Sequence, residues 1–268
     1  MKPVLLALTI TLAVAACATT TTSPTGRRQV VGAVSEQELN QLGAEAFAQA
    51  KAQTPQSSNA QQTAYVRCVV DSITRQLPAG SQAGWEVALF QKDEPNAFAL
   101  PGGKVGVYTG IFRVAQNQDQ LAAVIAHEIG HVISNHHNER ITRQANAQTG
   151  LGIIGALIGA RYGEGAANTV SQYGGIAAQG LILLPNNRTQ EGEADVVGQQ
   201  LMARAGFDPR QAVNLWQNMI ATSQSRAPEF LSTHPDPASR LSELERRASG
   251  LMSEYQQAQA AGRRPRCG

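Results

Sequence analysis

Asn117-Gln118-Asp119-Gln120-Leu121-Ala122-Ala123-Val124-Ile125-Ala126-His127-Glu128-Ile129-Gly130-His131-Val132 is the stretch on which the reading of this chain turns. Leu121, Val124, Ile125, Glu128, Ile129 and Val132 recur at helical spacing, which predicts a helix from Asn117 to about Asn135. On that helix His127 and His131 lie at i and i+4, on one face, so both imidazoles can reach one metal ion with Glu128 beside it. The same motif can arise as a solvated polar patch. Here Ile125, Ile129 and Val132 surround it with apolar residues, so the helix is half-buried and its histidines need partners. Zinc suits the nitrogen and carboxylate donors, and a catalytic zinc takes three protein ligands and keeps one position open.

The third ligand is sought further along. In Arg188-Thr189-Gln190-Glu191-Gly192-Glu193-Ala194-Asp195, Glu191 and Asp195 are again i and i+4, so one helical face carries two carboxylates. Glu191 completes a ligand set with His127 and His131 for one zinc ion per chain, and Asp195 accepts a hydrogen bond from a ligand imidazole. Glu193 points elsewhere on that helix and is the less favoured ligand.

Around these helices the pattern is mixed α+β, mostly helical. Helices are predicted from about Ser35 to Lys51, Asn59 to Leu77, Arg188 to Ala205, Pro209 to Thr222 and Pro237 to Ser249, with Asp208 and Asp236 as caps before proline. Trp85 to Phe90, Asn96 to Leu100 and Lys104 to Tyr108 read as short strands around the turn Pro101-Gly102-Gly103, giving a small antiparallel sheet beside the metal-binding helix. The edge presented by Lys104, Val105, Gly106 and Val107 is the candidate substrate-binding segment, where an extended polypeptide adds as a strand. Residues 145–185 are rich in Gly and Ala; they read as a loop with a helix from about Ala166 to Leu184, or as a flap over the site.

The two ends are read as appendages. Lys2, the uncharged run Val4 to Ala16 and the small residues before Cys17 predict a signal peptide over 1–16, cleaved ahead of a lipidated Cys17, or else an ordinary secretory signal. Several acyl chains on Cys17 would anchor the chain to a membrane. Ala18, where an aspartate would signal inner-membrane retention, favours the periplasmic side of the outer membrane. Residues 17–34, rich in Thr, Ser, Pro and Gly, form a lipidated tether, 35–255 the catalytic domain and 256–268 a tail. Cys68 and Cys267 remain for a disulfide in an oxidising compartment. The net charge of +2, from 22 basic and 20 acidic residues, carries no basic stripe, which argues against nucleic acid as a partner.

Together these segments resemble a known family, the gluzincin-type zinc metallopeptidases typified by HtpX, the CAAX prenyl protease and the mitochondrial Oma protease. The resemblance rests on Asn96 to Gly103, Val107-Tyr108-Thr109-Gly110, His127 to His131, Glu191 to Asp195, and Thr233-His234-Pro235 followed by Arg240. It is similar to the compact lipoprotein members of the LoiP and BepA kind, without the helical-repeat extension of BepA. The resemblance implies Glu191 as third zinc ligand, Glu128 as catalytic base, His234 as a fourth ligand or an oxyanion donor, and Arg240 in support. Its implied substrates are unfolded or misassembled envelope proteins. A non-catalytic zinc lipoprotein that assists envelope assembly, and an esterase or deacetylase using the same metal-activated water, are the competing readings. Glu128, which a non-catalytic zinc protein need not keep, favours an enzyme over the assembly factor.

Overall fold

A computed structural model describes residues 19–147, 187–222, 229–234 and 237–268. Cys17, the signal segment and nearly all of the Gly-rich stretch lie outside them. The chain divides into two compact units, one of residues 1–35 with 138–178, the other of 36–137 with 179–268.

In the first unit, Thr19–Thr22 (β1) and Arg28–Val31 (β2) form an antiparallel hairpin with Thr19 opposite Val31. Its turn is closed by Ser23 O, which accepts from Gly26 N at 2.9 Å. The Arg27 guanidinium meets both carboxylate oxygens of Glu139 at 2.8 Å, and Asn138 Oδ1 accepts from Gly32 N at 3.0 Å. Residues expected to be a solvated tether are therefore hydrogen-bonded structure. The run of β-branched threonines favours extended backbone, and the charged fork supplies its partner.

The second unit holds the core. Helices Glu36–Gln53 (α1) and Ala60–Thr74 (α2) precede the strands Glu86–Phe90 (β3), Ala97–Leu100 (β4) and Lys104–Tyr108 (β5). A 3-10 turn over Thr109–Arg113 then leads to Gln118–Ile133 (α3). Among the described residues of this unit, Arg188–Ala205 (α4), Gln211–Thr222 (α5), Glu229–Thr233 (α6) and Pro237–Ala260 (α7) follow. Val66, Val69, Val70 and Ile73 of α2 pack with Val105 and Val107 of β5 and with Leu121, Ile125 and Ile129 of α3 in one buried cluster. Phe47, Phe90, Phe98 and Leu100 form a second, on the other side of the strands. No described helix is long and apolar enough to cross a membrane.

The α+β, mostly helical class is as read from the sequence, but the sheet departs from it. Its order is β3-β5-β4, with β4 antiparallel and β3 parallel to β5, so it is mixed rather than antiparallel. Hairpin geometry at Pro101 to Gly103 fixes only the β4–β5 pairing; β3 comes in on the opposite side. Strand β5 is buried, and pairing on both sides satisfies its backbone groups. Lys104 to Val107 therefore present no free edge. The outer side of β3 is also covered, by Ser57 N donating to Leu89 O and Gln91 N to Pro55 O, both at 2.7 Å. Among the described residues this leaves the outer edge of β4 without a backbone partner.

The carboxyl end is likewise not free. Helix α7 continues past Ser249 to Ala260, and the residues after it dock on α3. Gln118 Nε2 donates to Pro265 O at 2.9 Å, and Gln118 Oε1 accepts from Cys267 N at 3.0 Å. A disulfide joins Cys68 of α2 to Cys267.

Candidate metal centre

Each site element is fixed at its start. Asn117 caps α3, its Oδ1 accepting from Gln120 N at 2.9 Å. Asn187 caps α4 through a reciprocal box with Gln190, Asn187 Oδ1 accepting from Gln190 N at 2.8 Å. The two helices then cross at glycines. A Cβ on Gly130 would stand 2.9 Å from Ala194 O, and one on Gly198 would stand 2.9 Å from His127 N. Backbones in contact are what let short side chains from both helices converge.

They converge on four buried donors, His127, His131, Glu191 and His234, whose ligand atoms all lie within 4.8 Å of one another. His127 Nε2 is 3.1 Å from His131 Nε2, 3.2 Å from His234 Nδ1 and 3.5 Å from Glu191 Oε2. Glu191 Oε1 is 3.4 Å from His131 Nε2 and 3.0 Å from His234 Nδ1. Donors held tetrahedrally at about 2.0–2.1 Å from one ion stand roughly 3.3–3.4 Å apart. The separations here, from 3.0 to 3.5 Å, scatter around that figure, so the residues fit a single metal ion.

Asp195 Oδ1 lies 3.0 Å from His127 Nδ1, which places the proton on Nδ1 and leaves Nε2 as a donor atom. Arg240 grips that carboxylate with both ends of its fork, at 2.7 and 2.6 Å, and reaches Glu191 Oε2 with Nη1 at 2.7 Å. Its guanidinium lies 4.0 Å over the Trp216 ring. The His234 ring stacks on Phe230 at 4.2 Å, and its Nε2 is 3.3 Å from Glu128 Oε1.

Among the protein groups alone, burial opposes a charge on His127, but hydrogen bonds to Asp195 and Glu191 raise its pKa to about 9. Burial drives His131 well below its ordinary value, with Glu191 opposing. Burial also opposes ionised Glu191, yet the surrounding His234, His127 and His131 hold it well below the usual carboxylate range. Metal ligands must be free of protons, so a cation and protons would compete for these donors.

The structure thus brings His127, Glu128, His131, Glu191, Asp195, His234 and Arg240 into one cluster. Lys104, Val105, Gly106 and Val107 are not part of it: Val105 and Val107 are buried in the core, and Lys104 pairs with Glu86 at 2.9 Å. Sequence reasoning passed over His136. This residue lies just beyond the end of α3, where Asn135 turns the chain with φ of 57°. Its Nδ1 sits 2.8 Å from His131 Nδ1, and its Nε2 is 3.1 Å from Glu193 Oε2. A histidine following the motif was the available signal.

The model of peptidase family M48 matches residues 60–248. The mitochondrial metalloendopeptidase OMA1 of Schizosaccharomyces pombe is 35% identical over 192 residues, 68% of this chain and 52% of that protein. Beta-barrel assembly-enhancing proteases of Yersinia pestis and Escherichia coli K12 are 37% and 35% identical over 169 and 167 residues, each covering 61% of this chain and 34% of theirs. This chain therefore spans about half or a third of the length of these relatives.

Proposed function

Since the chain belongs to peptidase family M48, we propose that it is a zinc-dependent endopeptidase in which His127, His131 and Glu191 hold the ion. The convergence of the buried imidazole and carboxylate donors, with Glu128 adjoining them, carries this reading. Two imidazoles and a carboxylate at tetrahedral separation are a zinc-type donor set. Zinc, when bound, lowers the pKa of water and polarises a carbonyl.

The chain's own residues do the remaining work. Glu128 takes a proton from the attacking water and returns it to the departing amine nitrogen. Asp195 and Arg240 keep His127 in its ligand tautomer. His234 would take the fourth position on the ion, and with it there the site would be closed to water. Swung aside, its imidazole could donate a hydrogen bond to the oxyanion at the attacked carbon. An extended polypeptide adds along the outer edge of β4, which selects for segments without folded structure.

We further assign the chain to the bacterial envelope, lipidated at Cys17, with unfolded or misassembled envelope proteins as substrates. The names of the beta-barrel assembly-enhancing relatives support this. Cys17→Ser should release the processed protein from the membrane fraction, and its retention there would remove the lipid anchor from this account. The catalytic test is hydrolysis of unfolded casein with and without chelator, together with zinc content. Wild type should cleave and lose activity to chelator. Glu128→Gln should keep its zinc and lose about 10²–10⁴-fold in rate. Wild-type rates in that variant would end the mechanism, while bound zinc without any hydrolysis by wild type would favour an assembly factor.

A further inference from the structure

We propose that His136 and Glu193 form a positioning pair that orients His131 and raises its strength as a ligand, a role distinct from that of Asp195 on His127. The inference rests on the metal-binding reading above. His131 has two ring nitrogens in different company. Nε2 faces the other donors, 3.1 Å from His127 Nε2 and 3.4 Å from Glu191 Oε1, whereas Nδ1 is 2.8 Å from His136 Nδ1. A ligating Nε2 must offer its lone pair, so the His131 proton is on Nδ1 and is donated to His136 Nδ1. That leaves the His136 proton on Nε2, from which it is donated to Glu193 Oε2 at 3.1 Å. One assignment of protons satisfies both of these contacts.

The pair is buried. His136 has 0% and Glu193 4% relative exposure, and a carboxylate removed from water is costly unless it is hydrogen-bonded. Its placement depends on a break in the chain. Helix α3 ends at Ile133, and the left-handed Asn135 folds the next residue back beside the metal helix, with the His136 and His131 rings 4.9 Å apart. A continuous helix would carry residue 136 off this face. Asparagine tolerates that conformation better than most residues.

The two ligand histidines are thus held by different devices. Asp195 contacts His127 directly, and its charge is offset by Arg240; Glu193 acts on His131 through a neutral imidazole. Glu193, the carboxylate between Glu191 and Asp195 in sequence, is then not spare.

The test uses the full chain stripped by chelator. Zinc affinity is measured by competition with a chromophoric chelator, cobalt is substituted to record the visible spectrum, and the fold is followed by circular dichroism. His136→Leu should weaken zinc binding about 10–100-fold, the loss typical of an outer hydrogen-bond partner, and alter the cobalt spectrum. His136→Asn, whose Oδ1 can accept from His131 Nδ1, should recover most of the affinity. Glu193→Gln should weaken binding by about 10-fold, at the low end of that range, without unfolding the protein. If His136→Leu fails to fold, the other two variants decide. Wild-type zinc affinity and an unchanged cobalt spectrum in folded His136→Leu, or in Glu193→Gln, would overturn the proposal. A wild-type chain that binds no zinc, or whose binding ignores His131→Ala, would instead overturn the metal-binding reading beneath it.

Discussion

Helices α3 and α4 meet at the metal centre but arrive there on opposite terms. Helix α3 buries a run of alanines with Leu121, Val124, Ile125 and Ile129, and its polar site residues are set within apolar surface. Helix α4 buries Gln190, Glu191, Glu193, Asp195 and Gln199 along with its apolar residues. An apolar helix enters a core for the free energy of leaving water. A polar one is buried at low cost only where its groups are matched: Asp195 by Arg240 and His127, Glu193 by His136, and Gln199 through Nε2 donating to the carbonyls of Pro209 and Leu244, its Oε1 alone having no partner among the described residues. The first helix belongs to the core by composition, the second by its partners. Variants should therefore divide the two.

The largest effect is expected where α4 supplies a donor. Glu191→Ala should lose more than the roughly 100-fold that removal of an outer hydrogen-bond partner can cost, and should bind zinc more weakly than Glu193→Ala. It also strips Arg240 of one of its two carboxylates. Metal analysis of the two purified variants measures the order, and the reverse order would make Glu193 the ligand.

This contrast explains what the sequence made legible. His127, Glu128 and His131 stand out because a helical period can be counted within one apolar segment, and Glu191 with Asp195 because the same period repeats. His136 lies across the break at Asn135, where period no longer predicts direction, and Glu193 was set aside because its partner had not been seen. The sheet failed for a related reason. Local pattern locates β3, β4 and β5, but which strand is central depends on contacts between segments far apart. Lys104 to Tyr108 reads as a strand from its own residues and the turn before it, and neither says that β5 will have a neighbour on each side.

A smaller effect is expected at the crossing of the two helices. Gly198→Val places a branched side chain where a single Cβ would already meet His127 N at 2.9 Å. Backbone cannot yield as a flexible side chain would, so overpacking should cost about 1–3 kcal/mol and weaken zinc binding as the helices separate. Gly192 lies on the same helix with nothing within 4 Å of an added Cβ. Gly192→Ala should gain up to about 1 kcal/mol in helix propensity. Chemical denaturation of the two variants checks both signs, and equal effects would mean that contact at the crossing is not what limits position 198.

The smallest effect separates the helices by where their ligands sit. Both begin with an asparagine cap, and loss of either should cost about 1 kcal/mol of stability. His127 and His131 lie in the second half of α3, far from its capped start, so fraying at Asn117 leaves them in place. Glu191 lies in the first turn of α4, where its backbone N donates to Asn187 O at 3.0 Å. Asn187→Ala also opens the box with Gln190, and the carboxylate ligand shares in any fraying that follows. Asn187→Ala should thus weaken zinc binding by a few-fold, the equivalent of about 1 kcal/mol, whereas Asn117→Ala should lower the unfolding midpoint with zinc affinity unchanged. Denaturation and zinc competition on the two variants give the four numbers needed. If both lose affinity alike, the α4 end of the site is no more dependent on its cap than the α3 end, and the difference between the helices stops at composition.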